Sequence, residues 1–163
     1  MAAVVTVQPV VRIVPVALGE RDAFFAAYEA YSAELEPFDP AHEPTDVAAY
    51  REAVEDDLSY EDSGRELSWI VVDGERAGFA VLRHLPDWLD PERMITTIAE
   101  FCVFAPYRRN GIGRAAVLAI LAQERARGSY EVEAGILRDN EAAHAFWGAL
   151  GFEVRQVHTA RRP

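Results

Sequence analysis

The stretch Ala99-Glu-Phe-Cys-Val-Phe-Ala-Pro-Tyr-Arg-Arg-Asn-Gly-Ile-Gly-Arg114 decides how the rest of the chain is read. Ile95 to Phe104 is rich in β-branched and apolar residues and is stopped by Pro106, which predicts a buried strand. From Ile112 to Ala122 nearly every residue is apolar or small, so a largely buried helix is expected to open at Gly111. Such a start leaves backbone N–H groups unpaired and turns the positive end of the helix dipole toward the preceding turn. Gly111 and Gly113 allow close approach, and Arg108, Arg109 and Arg114 add positive charge. The expected product is an anion cradle, best suited to a phosphate.

Two common phosphate-binding motifs fit this turn poorly. A P-loop needs G-K-[ST], and the chain has no lysine. Gly111-Ile-Gly-Arg-Ala-Ala116 does fit G-x-G-x-x-[GA], and Glu133 stands twenty residues beyond Gly113, where a ribose-binding acid is expected. Only fifty residues follow Gly113, however. They hold one strand, one helix and one last strand, too few for the second half of a doubly wound fold. A dinucleotide-binding enzyme is therefore a distant alternative.

Arg108-Arg-Asn-Gly-Ile-Gly113 resembles the [QR]-x-x-G-x-[GA] pyrophosphate signature of the GCN5-related N-acetyltransferases (GNAT), with Val103 five residues ahead of Arg108. Asn140-Glu-Ala-Ala-His-Ala-Phe-Trp-Gly-Ala-Leu-Gly-Phe152 is similar to that family's second signature, N-x-x-A-x-x-F-Y-x-x-x-G-F, at the usual distance. The resemblance covers about Glu66 to Phe152; before that only the order of elements matches. It implies an α/β (α+β) fold, a mixed and mostly antiparallel sheet flanked by helices in the order βααβββαβαβ. It also implies acetyl-CoA as co-substrate. Backbone groups of Phe101, Cys102 and Val103 would pair with the pantetheine arm as an added strand would. Arg108, Arg109, Asn110, Gly111, Ile112, Gly113 and Arg114 would form the turn around the pyrophosphate, chiefly through backbone N–H groups. Asn140 would bind the pantetheine or thiol end, its alternative being a helix cap.

One position departs from the family. A tyrosine that can protonate the leaving thiolate often stands seven residues after the conserved Asn, and here that residue is Trp147. An indole N–H donates a hydrogen bond but does not titrate usefully. Trp147 is expected to pack along the pantetheine arm or in the core, leaving water or another tyrosine to supply a proton. An acyl-CoA-binding or regulatory module without turnover is the alternative this raises.

For the base, Glu100 and Glu133 stand out as acids inside apolar strands, where an unpaired carboxylate is costly. An exposed edge or a salt bridge would explain either equally well. Tyr31 is placed either in an acceptor pocket or in the core. Cys102 reads as a buried strand cysteine, since no base stands beside it. The four histidines have no metal-ligand spacing, and no metal is expected.

Composition limits the partners. Net charge is −11, which argues against nucleic acid or an anionic membrane. Between Glu34 and Asp62 there are eleven acids against one arginine, Arg51. This is either a solvated face or a field that draws in a cationic acceptor, a small-molecule or peptide amine. No apolar run reaches the ~20 residues of a membrane span. The single cysteine allows no internal disulfide, and Met1–Gln8 has no basic n-region, so a cytoplasmic location is expected. Residues 1–163 read as one domain, with a homodimer left open.

Local signals fill in the remaining elements. Val10–Val16 is an edge strand because of Pro15, and a helix starts at Gly19 or Glu20 and ends before Pro37 and Pro40. Thr45 caps a second helix that reaches Leu58. Leu67–Val72 and Arg76–Arg83 form a hairpin around Asp73-Gly74. His84–Arg93 is a loop, Ser129–Ile136 a strand, a last helix starts at Asn140, and Val154–Thr159 is a closing strand.

Overall fold

In a computed structural model that describes residues 9–163, the sheet runs in the order β1-β2-β3-β4-β5. The elements are β1 (Val11–Pro15), α1 (Arg21–Leu35), α2 (Val47–Asp57), β2 (Arg65–Val72), β3 (Glu75–Pro86), β4 (Met94–Val103), α3 (Ile112–Arg127), β5 (Glu131–Ala134) and α4 (Glu141–Ala149). Strands β1 to β4 pair antiparallel, and only β4 and β5, joined through α3, are parallel. Pro15 lies on an edge strand as expected, where its missing N–H costs no ladder bond. The β2–β3 turn uses Asp73 at φ 51° and Gly74 at φ 84°, two left-handed residues that match the twist of the strands they join.

Period-two alternation in β2 splits the core into two layers. Leu67, Trp69 and Val71 face α1 and α2, where they pack with Phe24, Phe25, Tyr28 and Val54. Ile70 and Val72 face the other way, against Ile112 and Ala116 of α3. On that second face Ala80, Leu82 and Ile98 meet Val117, Ile120 and Trp147.

Four boundaries differ from the sequence reading. Asp46, not Thr45, caps α2, its Oδ1 accepting from the Ala49 N–H at 3.0 Å. Strand β3 continues through His84 to Pro86 because β4 keeps pairing with it, Leu85 opposite Ile95 and Pro86 opposite Met94. Strand β5 is four residues long and releases Gly135–Leu137 from the sheet. Val154–Thr159 forms no strand. Val154 and Val157 are three apart, so an extended chain would turn them to opposite faces, and both stand about three-quarters exposed (73% and 77%). The Arg155–Glu131 contact at 3.4 Å is a rim ion pair and orders little.

A buried carboxylate ties α3 to the middle of the sheet. Glu124 is fully buried, and its Oε2 accepts from Thr96 Oγ1 at 2.6 Å and Ser129 Oγ at 2.9 Å, with His84 Nε2 at 3.0 Å. Burial, the largest single effect, acts to raise this carboxyl. The Thr96 and Ser129 hydrogen bonds and the His84 and Arg127 charges outweigh it, holding the pKa below the usual 4.5. The stabilisation from a lowered acid is complete above its unfolded value and fades as pH falls through the folded one. Glu124→Ala should therefore cost about 3–5 kcal/mol at neutral pH, the penalty for removing one partner of a buried pair. The loss should shrink in acid. A urea midpoint unchanged from the parent at pH 7 would contradict this.

Candidate functional site

The site arises from a strand that loses its neighbour. β4 and β5 pair only from Ile95–Glu131 to Ile98–Ala134, after which β4 continues to Val103 with β3 alone. At that point β3 pairs Val81 with Glu100 and Leu82 with Ile98, which leaves Ala99 as a bulge. The bulge resets the alternation. Ile98 packs toward α3 and α4, Ala99 toward α1 and α2, Phe101 toward α3 and α4 again, and Cys102 toward α1. Between the diverging strands opens a cleft of about 670 Å³. It is bounded by the end of α1 (Tyr31, Glu34), the β4 edge (Phe101, Cys102, Val103), the Arg108–Arg114 turn and the start of α4.

The turn is built for an anion. Gly111 is the N-cap of α3 at φ 76° and supplies no capping side chain. The first bond of the helix, Ala115 N–H to Gly111 O, is 3.0 Å long, so the N–H groups of Ile112, Gly113 and Arg114 have no acceptor within the helix. Arg109 is also left-handed, at φ 65°. Arg109 and Arg114 are exposed and make no ion pair among the described residues. Gly113 sits against Phe146, whose ring carbons would lie 3.2 and 3.3 Å from a Cβ placed there.

Not every predicted member of the turn faces the cleft. Arg108 lines the cleft and also ties its wall together. Its Nε donates to Val103 O at 2.6 Å and its NH2 to Glu34 Oε2 at 2.7 Å. The Ile112 side chain is buried beside Ile70 and Ala116, anchoring the helix start, and neither it nor exposed Asn110 lines the cleft. Asn140 does line it, and it also caps α4, its Oδ1 accepting from Ala143 N–H at 3.1 Å. Any hydrogen bond from this side chain to a ligand would fall to its NH2. Trp147 is both core and wall: it is 6% exposed and packs edge-on to Phe101 at 5.5 Å and Phe152 at 4.9 Å.

The two acids separate clearly. Glu133 is exposed on β5, opposite Thr97, and does not line the cleft. Glu100 lies behind the wall on the α1/α2 side, close to the phenols of Tyr28, Tyr31 and Tyr50. Burial pushes its carboxyl up to about 7, against the opposing influence of Tyr31 and the Arg65 charge. Burial and the Glu100 charge raise the Tyr28 and Tyr31 phenols far above their usual value, and Tyr50 up to about 12. Tyr28 and Tyr50 stack with ring centres 3.9 Å apart. Burial also raises the Cys102 thiol, to about 11, so it stays protonated and inert. No group of three or more metal-ligating side chains occurs among the described residues.

Sequence reading missed Glu34, Tyr28, Tyr50 and Arg65. The available signal was the spacing of Tyr28, Tyr31 and Glu34, three polar tips at i, i+3 and i+6 along one side of the first helix, of which only Tyr31 was considered for a pocket.

Known proteins share this fold. The family described as the acetyltransferase (GNAT) family matches residues 25–152. No curated protein matches the chain by sequence. Among solved structures, YycN from Bacillus subtilis is 18% identical with a TM-score of 0.74, the match covering 94% of this chain and 99% of that one. A ribosomal-protein-alanine N-acetyltransferase from Brucella melitensis biovar Abortus 2308 is 18% identical with a TM-score of 0.70, covering 94% and 99%. The aminoglycoside N-acetyltransferase AAC(6')-Iy, in complex with CoA, is 17% identical with a TM-score of 0.67, covering 98% and 99%. At such identities the likeness carries the fold alone.

Proposed function

Because this chain belongs to the acetyltransferase (GNAT) family, we propose that it transfers an acetyl group from acetyl-CoA to a primary amine of a small molecule or peptide by direct attack. The observation that carries the reading is one continuous cleft, with an uncapped helix start at Gly111 at one end and an unpaired β4 edge along its wall. The free N–H groups suit a pyrophosphate. The backbone of Phe101–Val103 suits a strand-like pantetheine arm. Phe101, Phe146 and Trp147 supply an apolar wall. Glu100 is the base in this reading, being partly charged near neutral pH and beside the cleft, whereas exposed Glu133 is left without a catalytic role.

The test follows thiol release from acetyl-CoA across aminoglycosides, polyamines, amino acids and basic peptides. Acetylation of at least one amine well above the solution rate is expected. CoA binding with no turnover on any amine would favour a binding module, the alternative that Trp147 at the usual tyrosine position keeps alive.

The acidic segment supports a cationic acceptor. Glu55 is paired with Arg51 at 3.0 Å and Asp57 with Arg65 at 2.6 Å. Glu52, Asp56, Glu61 and Asp62 are exposed and make no ion pair among the described residues. Their field should weaken as the Debye length falls from ~30 Å at 0.01 M salt to ~8 Å at 0.15 M. The KM for the amine should therefore rise with salt while kcat changes little. Reversing Glu52, Asp56 and Glu61 to Lys should flatten that dependence. A KM that ignores salt would reduce the segment to a solvated surface.

A further inference from the structure

Strand β2 also outruns its neighbour. β1 pairs with it from Val11–Val72 to Pro15–Ser68, and the Val16 N–H to Leu67 O bond at 2.9 Å is the last link. Arg65 and Glu66 then pair with β3 alone. As the chain leaves Val16 for α1, a second cavity of about 300 Å³ opens beside this free edge. It shares no lining residue with the cleft at β4.

The charge balance of the chain is reversed here. The sequence has 27 acids against 16 basic residues, yet this cavity is lined by three arginines and one acid, Glu66. Arg21 comes from the first residue of α1, Arg65 from β2 and Arg127 from the last residue of α3. Alternation puts Arg65 on the α1/α2 face of β2 with Leu67, and Glu66 on the α3 face, where Arg127 meets it. The guanidinium groups therefore reach the cavity from both sides of the edge.

Most of their donors are free. Arg65 uses Nε alone, donating to Asp57 Oδ2 at 2.6 Å. Arg127 uses NH1 alone, 2.7 Å from Glu66 Oε1, 3.0 Å from His84 Nε2 and 3.6 Å from Glu124 Oε1. The other two nitrogens of each group, and all three of Arg21, make no hydrogen bond among the described residues. Two placements are unfavourable without an anion. Arg21 stands at the positive end of the α1 dipole, where a cation is disfavoured. Arg83, whose buried Nε has no partner among the described residues, stands directly opposite Arg65 across the β2–β3 ladder. Like charges so placed destabilise a sheet. The remaining lining is apolar, from Pro15, Val16, Leu58 and Leu67. A bare anion would leave that surface uncovered, and the volume is at the small end for ligand pockets.

We infer that this cavity is a second binding site, for a small organic anion whose carboxylate or phosphate head meets Arg21, Arg65 and Arg127 and whose apolar body covers Pro15, Val16, Leu58 and Leu67. Planar guanidinium forks suit both heads, since each offers paired oxygens. The site stands apart from the acetyl-transfer reading and does not depend on it.

The experiment titrates four probes into the full-length protein by calorimetry. Benzoate and phenyl phosphate share a ring and differ in the head. Benzamide keeps the ring without the charge, and acetate keeps the charge without the ring. Because the Gly111 turn can also take a phosphate, each titration is repeated in Arg21→Gln and Arg114→Gln. Benzoate or phenyl phosphate should bind saturably, and the tighter of the two identifies the head. Benzamide and acetate should bind at least about tenfold more weakly, each having lost one half of the recognition. Arg21→Gln should weaken the tighter probe about tenfold, the loss of a charged hydrogen bond, while Arg114→Gln leaves it within about twofold. Arg21→Lys, which restores the charge, should recover part of the affinity. The thermal midpoint of Arg21→Gln should not fall below the parent's, because a cation has left the positive end of a helix. The site is overturned if neither anion binds saturably or if benzamide binds as well as benzoate. It is equally overturned if Arg21→Gln binds like the parent, or if the loss follows Arg114→Gln and so belongs to the Gly111 turn.

Discussion

Gly111→Asp is expected to abolish the rise in thermal midpoint that acetyl-CoA gives the parent protein. A ligand that binds only the folded state stabilises it by about 2.7 kcal/mol at a hundred times its Kd, so the parent shift is large enough to lose visibly. Two effects are combined in this substitution. The backbone at Gly111 is left-handed, φ 76°, which costs a side-chain-bearing residue about 1–2 kcal/mol, somewhat less for Asp. The new carboxylate would also stand at the mouth of the N–H cradle, facing whatever anion sits there. Gly111→Ala separates the two, because no atom lies within 4 Å of a Cβ at this position and only the backbone cost remains. Alanine should lower stability modestly and keep the acetyl-CoA shift, while aspartate should lose the shift altogether. An undiminished shift in the Asp variant would remove the pyrophosphate from this turn. A parent shift with NAD and none with CoA would overturn the cofactor.

That turn was legible in sequence because its causes are local. Gly111 and Gly113 before an apolar helix, Asp73-Gly74 between alternating runs and Pro15 on an edge are each decided within a few residues. The cleft was not legible, because it depends on where β5 stops pairing and on one residue of β4. Strict alternation from Ile98, which packs against α3 and α4, would send Glu100 to that same face. The Ala99 bulge sends it to the other, among the tyrosines of α1 and α2. Glu133 carried an equal sequence signal, an acid in an apolar strand, and proves exposed. What separates the two acids is the cover supplied by α1 and α2, which no window of the sequence contains. The closing strand failed for a related reason. Val154 and Val157 suggested β-propensity, yet a four-residue β5 offers little edge, and valines three apart present no single apolar face to it.

Glu100→Gln should lower turnover about 10²-fold or more at neutral pH while sparing CoA affinity, because a neutral amide cannot accept the proton. The pH dependence sharpens this. Burial pushes the Glu100 carboxyl up to about 7, so the parent should gain activity as pH rises through that value and the base ionises. The Gln variant should lack this limb and recover partly at high pH, where free amine accumulates. Stability should move the other way. A folded-state pKa above the unfolded one means that the folded protein binds more protons between roughly pH 4 and 7, so the parent loses stability across that window as pH rises. Glutamine carries no charge to desolvate, and the variant should melt above the parent at pH 8 while the two converge toward pH 4. Slower turnover together with a higher melting point is the signature of a carboxylate kept buried for chemistry. A Gln variant that melts lower at every pH and keeps its turnover would make Glu100 a structural residue and leave the base to water.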